Sequence, residues 1–338
     1  MERFYPELST RFQALLPELK RRKVAVVGHA RPDGDCIGSQ VALTRVLAAA
    51  GVDALCVNAD PVPRRLQFLT RNTRVMSPEE ILPVAADYTA VYVDCADAAR
   101  CGNRLSGAFP RPLAMFDHHI SNVGYAEHDF IDVQSAATAE ILAGIFVDLG
   151  LTVDTDAAQA LYAGILTDTG QFRFHSTSWR SFMLAAELMA RGARPAEAGF
   201  ELYERESIGK LRLLESFLQS LKLEEGGWVC IGLLPRGIFE STGSDPEDTE
   251  GLVDYARSID GVEVGVLIEE RDNGGVKASL RAKNPDYRVD RIAAQFNGGG
   301  HACAAGLSIK MTMEEFYPAL VSAITEQMAA VRSGSSNS

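Results

Sequence analysis

The chain has 338 residues, 46% of them apolar, with 33 Lys and Arg set against 45 Asp and Glu for a formal charge of −12. That length fits two domains better than one, and the apolar fraction is ample for packed cores. The negative balance argues against a protein that tracks long nucleic acid, because phosphate binding depends on neutralising cations. Small anionic substrates stay open where metals and basic residues override the global field.

No apolar run approaches the ~18 residues of a membrane span. The segment Met1–Arg22 carries charges throughout and lacks the apolar centre of a signal peptide. A soluble, cytoplasmic protein with no membrane partner is expected. Six cysteines are scattered without a Cys-x-x-Cys pair, which speaks against a zinc knuckle or a disulfide framework and for buried thiols.

In chain order, Leu8–Lys20 has helical apolar spacing, interrupted by Pro17. Lys23–Gly28 is a continuous apolar run of the buried parallel type. His29 to Gly38 reads as a loop, Ser39–Ala50 as a helix stopped by Gly51, and Val52–Asn58 as the next strand, which makes a βαβ unit. Arg64–Leu69 reads as a short helix. Thr89–Val93 and Pro112–Phe116 read as strands, and Ser135–Leu149, Asp156–Thr167 and Trp179–Arg191 as helices. The alternation predicts an α/β domain over 1–192, a mostly parallel sheet with helices on both faces.

Arg194–Leu223 is helical and charged and is expected to form a connector over 193–225. Beyond it Trp228–Leu234, Val262–Glu270 and Val276–Arg281 read as strands, the last two joined by the turn Asp272-Asn273-Gly274-Gly275. Glu247–Ser258, Val289–Phe296 and Met313–Val331 read as helices. Together they predict a smaller α/β domain over 226–331, followed by a small, polar, disordered tail over 332–338. There is no internal repeat.

Four acidic clusters share one placement. They are His29-Ala30-Arg31-Pro32-Asp33-Gly34-Asp35, Asp94-Cys95-Ala96-Asp97, Asp117-His118-His119 and Thr167-Asp168-Thr169-Gly170. In each, an apolar segment runs straight into His or Asp. Unpaired like charges at converging strand ends repel and desolvate badly, and a pair of divalent metals removes that objection, with imidazole and carboxylate as ligands. A surface turn would account for Pro-Asp-Gly-Asp alone, not for the other three clusters. His29, Asp33 and Asp35 are taken to converge because residues two apart in an extended segment point the same way. Asp97 reads as a helix cap rather than a partner for Arg100. Farther on, Gly298-Gly299-Gly300-His301 is a phosphate-cradle candidate, since three glycines let backbone N–H groups approach an oxyanion. Arg281 at a strand end favours an anion site there.

The set His29-x3-Asp33-x-Asp35, Asp94, Asp117-His118-His119 and Asp168, followed by Gly298-Gly299-Gly300-His301, resembles the DHH phosphoesterase superfamily over residues 20 to 330. The resemblance is to the stand-alone oligoribonuclease and 3′-phosphoadenosine 5′-phosphate phosphatase branch (NrnA type), which shares its catalytic domain with RecJ exonucleases; the Gly-rich element is similar to the DHH-associated substrate domain. The resemblance implies two divalent metal ions, Mn²⁺ first. One would be held by His29, Asp33 and Asp94, the second by Asp35, Asp94, His118 and Asp168. Asp117 would support a ligand histidine and His119 would face the scissile phosphate, while Arg281 and His301 would grip substrate.

The activity implied is hydrolysis of phosphate esters by metal-activated water, on short oligoribonucleotides, linear dinucleotides or 3′-phosphoadenosine 5′-phosphate. Cyclic dinucleotides, inorganic pyrophosphate and binding without turnover are the alternatives. The Gly-Gly-Gly-His element speaks against the pyrophosphatase, and the full ligand set speaks against a sensor. A short nucleotide substrate is the expected partner, and a homodimer is left open.

Overall fold

The computed structural model describes residues 3–272 and 274–332. Of the expected tail 332–338, Arg332 still belongs to the last helix, and 333–338 lie outside the described residues, as does Asn273 of the Asp272–Gly275 turn. The chain divides into two compact units, 1–205 and 206–338.

The first unit holds a six-stranded parallel sheet, built of β1 (Lys23–Val27), β2 (Asp53–Val57), β3 (Val75–Met76), β4 (Tyr88–Val93), β5 (Ala114–Asp117) and β6 (His128–Ile131). The strand order is β3-β2-β1-β4-β5-β6. The chain therefore reverses its direction of travel across the sheet between β1 and β4, leaving a crevice beyond their carboxyl ends. Strand alternation sorts the apolar residues into two cores. Val24, Val26, Val91, Val93, Ala114 and Phe116 meet helices α1 (Pro6–Leu19), α2 (Gly34–Ala49), α5 (Thr138–Asp148), α6 (Thr155–Asp168) and α7 (Trp179–Ala190) on one face. Ala25, Val27, Ala90, Tyr92 and Met115 meet the short helices α3 (Pro78–Ile81) and α4 (Asn103–Ala108) on the other. The expectation of a sheet covered on both faces holds.

Helix α1 runs through Pro17, which lies in its last turn, so little helix follows the bond that the missing N–H removes. Its far end is pinned by Asp148, whose carboxylate accepts from the Phe4 and Tyr5 amides at 2.8 Å and from Ser9 Oγ at 2.9 Å.

Some readings need correction. Helix α2 begins at Gly34, five residues before the expected start. Asp33 caps it, accepting from the Cys36 amide at 3.0 Å. Pro-Asp-Gly-Asp reads as a turn because aspartate serves turns and helix caps alike. Asp35 therefore projects from a helix's first turn, and extended alternation is not what brings it toward His29. Strands β3 and β6 had no sequence counterpart, and neither did the second unit's strands over 222–224, 299–301 and 304–309.

The stretch Arg194–Leu223 is also not one helix. It runs as α8 (Pro195–Gly199), a π turn over Phe200–Glu204, α9 (Ile208–Gln219) and the start of β7 (Lys222–Glu224). The division between the two units falls within it, after Arg205.

The second unit carries a mixed sheet of β7, β8 (Val229–Leu234), β9 (Val264–Glu270), β10 (Val276–Ala282), β11 (Gly299–His301) and β12 (Ala304–Ile309). Its order is β11-β12-β10-β9-β8-β7, and β8 and β9 are its one parallel pair among the described residues. Helix α12 (Val289–Ala294) and helix α13 (Met313–Arg332) cover one face, and α9 and α11 (Leu252–Ser258) the other. The expected helix Glu247–Ser258 is broken by Gly251, at φ 82°, into a 3₁₀ turn and α11; the short α10 (Ile238–Thr242) precedes both.

Candidate metal centre

Each acidic cluster leaves a defined element at the carboxyl end of the parallel sheet. His29 follows β1, Asp94 follows β4, and Asp117 closes β5 with His118 and His119 behind it. Asp35 stands in the first turn of α2 and Asp168 in the last turn of α6. Those two helices approach closely because three glycines leave room. A Cβ on Gly38 would fall 2.4 Å from the Ala160 carbonyl oxygen, and one on Gly164 would fall 2.6 Å from Ala139 Cβ and 3.0 Å from Asp35 Oδ1. A Cβ on Gly34 would meet the Thr167 side chain at 2.5 Å. Asp94 is turned inward by a left-handed backbone, φ 57°, while its amide keeps the ladder by donating to Phe116 O at 2.9 Å. Such a conformation at a non-glycine residue costs about 1–2 kcal/mol.

The side chains converge in three overlapping sets, each with its ligand atoms within 4.8 Å of one another: His29, Asp33 and Asp94; Asp35, His118 and Asp168; Asp94, His118 and His119. His29 Nε2 lies 3.3 Å from Asp94 Oδ2 and 3.6 Å from Asp33 Oδ1. His118 Nε2 lies 3.4 Å from Asp168 Oδ2, 3.7 Å from Asp94 Oδ1 and 4.0 Å from Asp35 Oδ2. Asp94 thus turns Oδ2 toward His29 and Oδ1 toward His118.

Ring tautomers follow from the backbone. His29 Nδ1 faces the Ala30 carbonyl at 2.9 Å and His118 Nδ1 the Ser135 carbonyl at 3.3 Å. A carbonyl only accepts, so both Nδ1 atoms carry the proton, and in the neutral rings both Nε2 lone pairs point at carboxylates. His29 Nε2 is buried and makes no hydrogen bond, its carboxylate contacts falling outside hydrogen-bonding geometry. Burial opposes charge on His29, yet Cys36, Asp33 and Asp94 together raise its pKa.

The acids tell the same story. Asp35 is fully buried; its Oδ2 accepts from Thr138 N at 2.6 Å and its Oδ1 from Ala139 N at 2.8 Å, so it is held by the first turn of α5. Burial, then Asp94 and Asp33, still push its pKa well above the carboxylate range. Asp168 is pushed up likewise by burial and by Asp35, Asp33 and Asp94. A buried imidazole lone pair facing carboxylates that resist ionising together is a cavity shaped for cations. The donor set, imidazole nitrogen and carboxylate oxygen, fits a first-row divalent metal.

The triplet divides its work. Asp117 is fully buried, accepting from Asn122 Nδ2 at 2.6 Å and from His119 Nδ1 at 2.7 Å. Arg100 then donates to His119 Nε2 at 3.0 Å. Burial raises the Asp117 pKa, but its bonds to His119 and Asn122 outweigh this and hold it low. Asp97 caps the turn Ala98–Cys101, accepting from the Ala99 and Arg100 amides, as expected.

The second unit's candidates lie on its sheet. Arg281 is in β10, opposite Ala304, with Nη1 donating to Leu280 O at 3.1 Å. Gly299, Gly300 and His301 form the exposed edge strand β11. The Gly-rich element is therefore a paired edge strand. Gly298 and Gly300 (φ 146°) are needed for close pairing: a Cβ on either would come within 2.4 Å of a β12 carbonyl oxygen, that of Gly306 or of Ala304.

Sequence reasoning missed the amides of Thr138 and Ala139, the Arg100 contact to His119 and the Asn122 brace on Asp117. A cue for the first was Ser-Ala-Ala-Thr ahead of the apolar run of α5.

With this geometry in hand, comparison places the chain among known proteins. The model of the DHH family, N-terminal domain, matches residues 23–165, and that of the DHHA1 domain matches 233–330. The bifunctional oligoribonuclease and PAP phosphatase NrnA of Thermus thermophilus is 33% identical, with 90% of each chain covered. Its namesake from Bacillus subtilis is 28% identical over 83% of this chain and 87% of the relative. An exopolyphosphatase-related protein from Bacteroides fragilis has the same fold, with a TM-score of 0.88 at 22% identity and 96% and 97% of the two chains covered. RecJ of Thermus thermophilus, solved in complex with Mn²⁺, superposes at a TM-score of 0.56 and 18% identity. The match spans 96% of this chain and 55% of RecJ.

Proposed function

The chain belongs to the DHH family of phosphoesterases, and from that premise we propose that it hydrolyses short oligoribonucleotides and 3′-phosphoadenosine 5′-phosphate at a two-cation centre with Mn²⁺ as the working metal. The observation that carries the reading is the buried, unpartnered Nε2 of His29 facing Asp94 and Asp33 inside a cluster of four carboxylates. The substrates are those named for the NrnA relatives. The charge of −12 favours the short end of that range.

His29, Asp33 and Asp94 would hold one cation; Asp35, Asp94, His118 and Asp168 would hold the other. When bound, such a pair supplies Lewis-acid polarisation of a phosphoryl oxygen and a nucleophile at neutral pH. The protein's own residues keep the ligands in register. Ala30 O and Ser135 O fix the imidazole tautomers of His29 and His118, and the α5 amides clamp Asp35.

Asp117 orients His119, whose Nδ1–H it holds while Nε2 takes a hydrogen bond from Arg100. Burial lowers the His119 pKa, but Asp117 and Asp94 raise it overall; with Nε2 accepting from Arg100 the ring is neutral in this arrangement, and turning Nε2 from Arg100 to a phosphate would let it take up a proton. In the second unit, Arg281, Gly298, Gly299, Gly300 and His301 supply a guanidinium, backbone N–H groups and an imidazole for a nucleotide phosphate.

The test compares initial rates with Mn²⁺ on the adenosine bisphosphate, a 5′-phosphorylated dinucleotide, a roughly 24-unit oligomer, a cyclic dinucleotide and inorganic pyrophosphate. Efficiency highest on the first two supports the proposal. Equal rates on the 24-unit oligomer, or turnover of pyrophosphate alone, would overturn it.

A further inference from the structure

The loop that leaves the cation centre after Asp168 carries an aromatic ring that the fold does not use. Asp168 lies in the last turn of α6, and the chain behind it turns back on itself at once. Gly170, Gln171 and Phe172 take left-handed backbone, with φ of 54°, 62° and 62°, a conformation that residues with a Cβ adopt only at a cost in free energy. Hydrogen bonds hold the turn. Thr169 O accepts from the Arg173 and Phe174 amides at 2.9 and 3.0 Å, and Thr169 Oγ1 accepts from the Phe172 amide at 3.0 Å. Arg173 Nε donates to Gly170 O at 2.8 Å. Phe174 is thereby tied to the residue that follows Asp168.

The two phenylalanines of this loop differ. Phe172 packs on the core and stacks on Phe182, with ring centroids 5.0 Å apart. Phe174 joins neither core of the unit, and it is 49% exposed. One of its faces is nevertheless fixed. A Cβ on Gly170 would fall 2.4 Å from Phe174 Cε1, 2.4 Å from Cζ and 2.7 Å from Cε2. Such similar distances put that point over the face of the ring, since a point beyond the ring's tip would lie clearly nearer to Cζ than to its two neighbours. The ring therefore lies flat on the backbone of Gly170. Among the described residues no second ring stacks on its other face.

A rigid planar surface with one face open accepts a second planar group by offset stacking and loses little entropy in doing so. The exposed part amounts to roughly 100 Å² of the about 150–250 Å² of an aromatic side chain, far below the ~1,000 Å² that a protein partner needs. Gln171, Arg173, His175 and Ser176 around it in the chain are exposed and polar, which suits a ligand that joins a flat ring to charged phosphates. We propose that Phe174 is a specificity-determining residue, the platform on which the nucleobase of the substrate stacks beside the cation centre. This rests on the nucleotide reading above and gives the base a contact that metals and phosphate-binding groups do not supply. Stacking on one aromatic ring accepts every base, since each has a π face.

Steady-state hydrolysis of 3′-phosphoadenosine 5′-phosphate, and of the same sugar bisphosphate without its base, tests this with Mn²⁺ present. In Phe174→Ala the ratio of kcat/KM for the first over the second is expected to fall about 5–100-fold, the value of one stacked base. The loss should lie in KM, with metal content at the wild-type level. Phe174→Trp keeps or raises the ratio, while Phe174→Leu, apolar but without a π face, behaves as Phe174→Ala does. An unchanged ratio in Phe174→Ala overturns the proposal, as does equal loss on both compounds. A wild-type ratio in Phe174→Leu overturns it too, because bulk alone then suffices. If the wild type hydrolyses neither compound, the hydrolase reading fails and binding decides on the platform. The emission of Phe174→Trp, measured against the wild type with its Trp179 and Trp228, should then change with adenosine 5′-monophosphate and not with ribose 5-phosphate. No such change overturns the platform itself.

Discussion

Asp168→Asn separates the cost of the carboxylate cluster from its use. Asp168 shares a 4.8 Å neighbourhood with Asp35 and His118, and its pKa is raised by burial and then by Asp35, Asp33 and Asp94. Two carboxylates at that distance repel by about 3.5 kcal/mol at an effective dielectric near 20. Proton uptake relieves part of this at pH 7, so neutralising Asp168 is expected to stabilise the metal-free protein by about 1–2 kcal/mol. For a unit of this size that is a rise in Tm of roughly 2–8 °C.

The sign with pH follows. Asp35 and Asp168 have folded pKa values above their unfolded ones, so the native state binds more protons. Through these groups the metal-free wild type loses stability as pH climbs from about 4 toward the raised values. Asp168→Asn flattens that slope. With Mn²⁺ at 100 times its dissociation constant the wild type gains about 2.7 kcal/mol per site, the variant forfeits the second site's share, and the ranking reverses. Thermal unfolding of chelator-treated and Mn²⁺-loaded protein across pH reads all of this. A metal-free variant less stable than wild type, or an equal metal-induced shift in both proteins, would refute the reasoning.

His118→Ala is expected to lose one metal per chain and activity together, with partial rescue at high Mn²⁺. His119→Ala should keep two metals yet slow single-turnover hydrolysis about 10²–10⁴-fold; metal analysis beside rapid-quench rates distinguishes them, and metal loss from His119→Ala alone reverses the assignment. Gly38→Ala places a methyl 2.4 Å from the Ala160 carbonyl oxygen. Overpacking of about 1–3 kcal/mol outweighs the ~1 kcal/mol of helix propensity gained, so calorimetry should show lower stability and weaker metal binding. Arg281→Ala should raise KM with kcat and metal content little changed, as loss of uniform binding does; metal loss in that variant would place Arg281 in the metal site.

Much of the first unit was legible because its central strands are apolar runs that end abruptly on acids. Val24–Val27 and Ala90–Val93 could be strands and little else, and the chemistry follows them directly. What escaped notice in that unit lies at sheet edges, in the backbone or in contacts that only the fold creates. Val75–Met76 is two residues long, and His128–Ile131 opens on His-Asp, so neither carries a periodic signal. The start of α2 was hidden by residues equally at home in a turn. The clamp on Asp35 comes from backbone amides of Thr138 and Ala139, which leave no mark in residue identity. Asn122 and Arg100 reach the triplet through contacts that only the fold creates. In the second unit, the three glycines were read for the anion their backbone could approach, while pairing with β12 makes them a sheet edge.

Gly34, Gly38 and Gly164 have no functional group, yet they act as the gauge blocks of the centre. Helices α2 and α6 are set apart by the thickness of a backbone, and the gap between Asp35 and Asp168 inherits that dimension. Adjustment of metal preference is therefore available from outside the ligand set. A methyl at Gly164 presses on Asp35 itself, whereas one at Gly38 levers the helices from the Ala160 side, so the two positions would stretch the cluster in different directions. Substitutions that retune a cation site without touching its ligands should be sought among these silent spacers, in a screen scored on which metal is retained rather than on whether activity survives.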